Sequence, residues 1–167
     1  MTTAITLAVA GQALGALIGV AACVWGELSY LHAARDGNID HAERLHLNMI
    51  AHALRYGLTL LLVASFTLVV LAFMAHGTPQ PAMTSSYWML TGLMFLLIYA
   101  SWARSKKKLS FPLASAIIFS AWWFVLYFSF GQIPALSLAA TFVFFVVATA
   151  VFYGTLQYAR MLTGGRR

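Results

Sequence analysis

The sequence predicts an all-α membrane protein, a compact bundle of five transmembrane helices with the N-terminus outside and the C-terminus in the cytoplasm. Three observations carry this. The 167-residue chain is 62% hydrophobic and only 8% charged, with a mean hydropathy of +0.83, too apolar to provide the charged surface of a soluble domain. Its apolar runs are long and lack the alternation of barrel strands, so the backbone polar groups must be satisfied inside helices. All ten Lys and Arg fall on one side of a five-span arrangement, which the positive-inside rule makes the cytoplasm.

The spans follow in order as Ala4–Gly26, Leu54–Ala75, Tyr87–Ala103, Phe111–Phe130 and Ala135–Leu156 within a single transmembrane domain, residues 1–167, each long enough to cross by the rule of roughly 17–25 residues. The first has no basic segment before it and its positive flank follows it, so it reads as an uncleaved anchor rather than a signal peptide. The first connection carries Asp36-Gly37, with Arg35, Arg44 and Arg55 around it. The second span stops at His76-Gly77-Thr78-Pro79-Gln80-Pro81, a run of turn residues without a basic side chain. The third stops at the Arg104–Lys108 run, the fourth at Gly131-Gln132-Ile133-Pro134, and Arg160, Arg166 and Arg167 follow the fifth. This orientation and charge pattern predict a multi-pass protein of a bacterial inner membrane. Nucleic acid is excluded as a partner, because the basic residues are not clustered with stacking aromatics in a soluble module. The single Cys23 can form no internal disulfide.

Gly11, Gly15 and Gly19 recur every four residues on the first helix, with Gly26 close to the same stripe. Such a ridge lets helix backbones approach closely in lipid. It serves either packing within the bundle or a homo-oligomer or partner helix.

Residues 35–52, RDGNIDHAERLHLNMIAH, hold three of the five histidines and three of the four acids. A calcium loop fits Gly37, Ile39 and Glu43 but would need oxygen ligands at His32 and Ala34. Caps explain the same residues: Gly37 closes the first helix, and Asp40 with Glu43 opens the second. His41, His46 and His52 cannot share an ion on one helix, because neighbouring members lie about 140° or more apart around the axis. A transition-metal site would therefore recruit the first helix, whose antiparallel register sets His32 beside Glu43 and His46. A bis-histidine haem is disfavoured because the last three spans contain no histidine.

Glu27 is the one acid placed to enter the membrane. The same register sets it within about two helical turns of His52 and Arg55, so Glu27, His52 and Arg55 form the candidate polar or ion-handling cluster. Phe119, Trp122, Trp123 and Tyr127, with Phe142 and Phe145, are candidates to line an apolar pocket, the alternative being ordinary packing.

The function expected from these residues is a non-catalytic accessory, assembly or interaction subunit, packing through its glycine-rich first helix and meeting a membrane-protein partner or a second copy. The alternatives are a small oligomeric proton-coupled transporter using Glu27, His52 and Arg55, and a haem- or metal-binding redox protein using the cytoplasmic-side histidines.

Overall fold

The computed structural model describes residues 2–33, 41–131 and 137–164. Within them the chain forms five α-helices and no β-strand: α1 (Thr2–Ala33), α2 (His41–His76), α3 (Ser85–Ser105), α4 (Phe111–Ser129) and α5 (Leu138–Gly164). A short 3-10 turn, Gln80–Met83, joins α2 to α3. All five helices are long and apolar enough to cross a membrane.

The helix ends are set by local chemistry. Gly77 and Gly131 adopt φ of +68° and +63°, a region costly for side chains with a Cβ. The Gly77 N–H donates to the Phe73 carbonyl (2.8 Å) and that of Gly131 to Phe128 (3.1 Å), satisfying carbonyls that a helix end leaves unpaired. α3 closes in a Schellman motif built on lysine rather than glycine. Lys107 takes φ of +55°, its N–H reaches the Arg104 carbonyl (3.0 Å), and the Lys108 N–H reaches that of Ala103 (2.9 Å). At its other end the Thr84 hydroxyl accepts the Tyr87 N–H (3.3 Å). α4 begins behind Ser110 with Pro112 in the first turn, where a missing N–H is not needed. The caps expected at Gly37 and Asp40, and the calcium-like loop around them, lie outside the described residues.

Helices run further at the basic end than hydropathy suggests. α1 continues beyond its apolar span to Ala33 and α2 begins at His41, ahead of its span at Leu54, both near the ends that the cap residues predict, and α5 continues past Leu156 to Gly164. Hydropathy reports where a helix becomes polar, whereas the helix itself ends only where the backbone is interrupted. The added stretches 27–33, 41–53 and 157–163 contain neither Gly nor Pro. At 32 and 36 residues, α1 and α2 are about 48 and 54 Å long, more than a hydrocarbon core of about 30 Å requires.

α1 and α4 form the centre. α1 packs along α2 and against α4, and α4 carries α3 and α5 on its flanks. Half of the most apolar stretch of α4 is buried, against 17% for α2 and 11% for α5, so those two helices present most of the apolar outer surface. α2 and α3 both touch the 3-10 turn that joins them but barely touch each other.

The glycine stripe is covered by helices of its own chain. A Cβ on Gly15 would stand 2.9 Å from the Gly57 carbonyl oxygen and the Leu61 nitrogen of α2. The Trp122 ring of α4 fills the space beside Gly19, and Ile50 stands 3.2 Å from where a Cβ of Gly26 would be. Gly11 is looser, facing the Ala64 methyl at 3.6 Å. Gly57 supplies the matching notch on α2 and forms no repeat of its own in the sequence. Close approach of this kind gains dispersion contacts that bulkier side chains would prevent.

Candidate functional site

Five helix ends meet at the basic end of the bundle, and one polar centre is buried among them. Glu27 stands on the part of α1 beyond the predicted span, Ser115 in the second turn of α4, and Arg160 in the last turns of α5. The Ser115 hydroxyl donates to Glu27 Oε1. Arg160 Nη2 donates to Glu27 Oε2 at 2.8 Å and to Ser115 Oγ at 2.9 Å. The triangle is closed, with both carboxylate oxygens accepting and the serine oxygen both donating and accepting. The Glu27 and Arg160 side chains are 15% and 12% exposed, so each needs its partner, because an isolated charge at that depth is strongly disfavoured.

Nε and Nη1 of Arg160 are buried without a hydrogen-bond acceptor. The guanidinium instead lies over two aromatic faces, 4.9 Å from the centroid of Phe111 and 5.4 Å from that of Tyr30. Such faces offset part of a cation's lost hydration. Arg104 of α3 lies over the Phe111 ring as well, at 4.6 Å, so one aromatic side chain holds two arginines. α5 touches α1 only sparingly, which makes this ion pair their main polar link.

Of the candidate cluster Glu27, His52 and Arg55, Glu27 makes its ion pair with neither of the other two but with Arg160. The reason is the longer α5: ending that helix at Leu156 turns Arg160 into part of a tail, whereas a continuous helix returns it to the level of Glu27. Arg55 is exposed and has no ion pair among the described residues, although it faces the same cavity as Glu27. His52 is also exposed, and its Nδ1 donates to the Asn48 carbonyl one turn earlier on its own helix (2.8 Å). Arg160 could have been found by noting that Met161 and Leu162 continue the apolar pattern beyond it with no breaker. Ser115 carried no signal beyond being a hydroxyl in an apolar helix.

His32, Glu43 and His46 line one groove, about 470 Å³ in volume, between the end of α1 and the start of α2. Their shared level follows the antiparallel register. Among the described residues no three His, Cys, Asp or Glu side chains are grouped to hold an ion. The His46 Nε2 lone pair is also engaged, accepting the Trp25 indole N–H at 2.7 Å.

The aromatic set is divided among three surroundings rather than gathered round one pocket. Trp122 is buried against Gly19, and Phe145 packs on Phe124 with ring centroids 5.2 Å apart. Phe119, Trp123 and Tyr127 form a ladder at 6.3 Å steps, with Phe152 of α5 5.0 Å from Phe119. Phe142 is 62% exposed. Sequence spacing identifies aromatic residues at similar depth, but the rotation of α4 and α5 about their axes sends them to different faces.

A larger cavity, about 760 Å³, lies between α1, α2, α3 and α4. Its wall includes Glu27, Arg55 and Arg104 together with Leu58, Leu97 and Trp122. No protein-family model, curated protein or solved structure matches the chain.

Proposed function

We propose that this chain is a five-span protein of a bacterial inner membrane, with its N-terminus outside and its basic end in the cytoplasm, and that it works as a non-catalytic binding or accessory subunit at the cytoplasmic leaflet. The observation that carries the reading is the closed Glu27–Ser115–Arg160 triangle. Its carboxylate is fully engaged by a cation and a hydroxyl from two other helices, an arrangement suited to holding α1, α4 and α5 in place rather than to passing a proton. The orientation is supported by Arg44, Arg55, Arg104, Lys106, Lys107, Lys108 and Arg160, the basic residues among those described, which all belong to the end where α1, α3 and α5 finish and α2 and α4 begin.

Single cysteines test the orientation. In a Cys23→Ser background, Thr78→Cys should react with an impermeant maleimide on intact cells, and Lys107→Cys only after the membrane is opened. The reverse pattern would invert the topology, and equal labelling of both would remove the five-span arrangement.

A second reading, a small proton-coupled permease, is favoured by Glu27 facing a cavity. Proteoliposomes discriminate the two. The accessory reading expects proton and solute fluxes indistinguishable from empty vesicles, with Glu27→Gln changing nothing but stability. Flux that depends on Glu27 would replace it with the permease.

A further inference from the structure

We propose that the 760 Å³ cavity between α1, α2, α3 and α4 is a binding site for an acyl-chain amphiphile with an oxyanion head, the head held by Arg55 and Arg104 and the chain lying along Leu54, Leu58, Leu97 and Trp122. The inference rests on the membrane orientation given above and names what the cytoplasmic end would bind.

The charged and hydroxyl-bearing groups of the wall all lie on the basic-end side of an apolar inner end. On α3 the lining runs from Ser105, Arg104 and Ser101 to Ile98 and Leu97, and on α1 from Tyr30 and Glu27 to Cys23 and Ala22. On α2 Arg55 stands between Leu47, Ile50, Ala51 and Leu54 towards the basic end and Leu58 towards the centre, and on α4 the lining runs from Phe111 and Ser115 to Ile118 and Trp122. The outer part of the wall is therefore mixed, with both arginines in it, and the inner part is apolar. A small polar solute would leave the apolar half unfilled, and a neutral hydrocarbon would leave the arginines without a partner. One molecule with a charged head and an apolar tail matches both halves.

The sign of the head follows from the charges. Glu27 is the one carboxylate on the wall, and Arg160 and Ser115 already engage both of its oxygens. Arg55 and Arg104 have no ion pair among the described residues, so among those residues the wall sets two guanidinium groups against one carboxylate that is already engaged. Their planar donor forks suit carboxylate and phosphate oxygens, and basic pockets between helices on the cytoplasmic side are suited to anionic head groups. Arg104 is held at the mouth by its stack on Phe111, which lowers the entropy lost when it closes on a ligand. α2 and α3, which both line the cavity, barely touch each other, and a ligand would enter between them sideways from the leaflet.

The test uses quenching of Trp122 at the apolar end of the cavity. Purified full-length protein in an uncharged detergent is titrated with a brominated fatty acid, a brominated lysophosphatidate, the methyl ester of the same fatty acid, and inorganic phosphate. The two anionic amphiphiles should give saturable quenching that is missing in Trp122→Phe, and the tighter of them identifies a carboxylate or a phosphate head. The ester and inorganic phosphate should not saturate. Arg55→Gln with Arg104→Gln should weaken binding about tenfold or more, each charge-assisted contact being worth a sizeable part of that. Leu58→Phe, which fills the apolar end and keeps both arginines, should also weaken it. Absence of saturable quenching, equal quenching by acid and ester, or unchanged affinity in the double arginine variant at an unaltered elution profile would each overturn the site. If the amphiphile binds and is also carried across proteoliposomes, the site stands and the non-catalytic reading falls. If it does not bind and no solute moves, the site falls and that reading stands.

Discussion

Arg160→Ala should destabilise the protein by about 3–5 kcal/mol, the cost of leaving one member of a buried ion pair uncompensated. Glu27 would keep only the Ser115 hydroxyl beside it, and α5 would lose its main polar tie to α1. Glu27→Gln should cost less, because an amide oxygen still accepts from Arg160. The double variant Glu27→Leu with Arg160→Leu should recover most of the loss of Arg160→Ala, since apolar groups of similar volume often replace a buried pair at little cost. Reversible unfolding in mixed detergent micelles measures all three. An Arg160→Ala variant within about 0.5 kcal/mol of the wild type, the range of an ordinary surface substitution, would show that the triangle does not hold the bundle together.

Gly19→Ala should be the most damaging of the single-methyl additions on α1. The benzo edge of Trp122 occupies the space that the new Cβ would need. Trp122 is 2% exposed, so its rigid ring can yield only towards the cavity it lines, and overpacking of this kind costs about 1–3 kcal/mol. Gly15→Ala should also destabilise, since its Cβ would press on backbone atoms of α2 at 2.9 Å. Gly11→Ala is the control. It would make an ordinary 3.6 Å contact with Ala64 and gains up to about 1 kcal/mol of helix propensity, so its stability should be unchanged or raised. Trp122→Leu should relieve Gly19→Ala, making the double variant less destabilised than the sum of the two singles. Equal effects at positions 11 and 19 would remove the close packing of α1 on α4.

How much of this was legible in the sequence depended on the distance over which the information acts. The five helices could be read from their apolar runs, and the ends of α2 and α4 from Gly77 and Gly131. The small-residue stripe on α1 was equally visible, because residues four apart share a face whatever surrounds them. The level of His32 with Glu43 and His46 followed from the antiparallel register of two consecutive helices. For the first two helices the cap residues Gly37 and Asp40 with Glu43 predict helix beyond the apolar span, but the fifth has no such signal and its predicted span stops at Leu156, where hydropathy falls. That shortening hid Arg160, although residues 157–163 contain no helix breaker.

Local sequence established that the chain is all-helical and that five helices are long and apolar enough to cross a membrane. It singled out Glu27 as the acid that needs a partner. Only the tertiary structure decided which partner that is, because the ion pair joins residues 133 positions apart and depends on how α5 is placed beside α1. The same holds for Gly19 against Trp122 and for the cavity between α2 and α3. A helix face is a property of the chain's own repeat, whereas the group opposite that face is set by how separate helices rotate and close on one another.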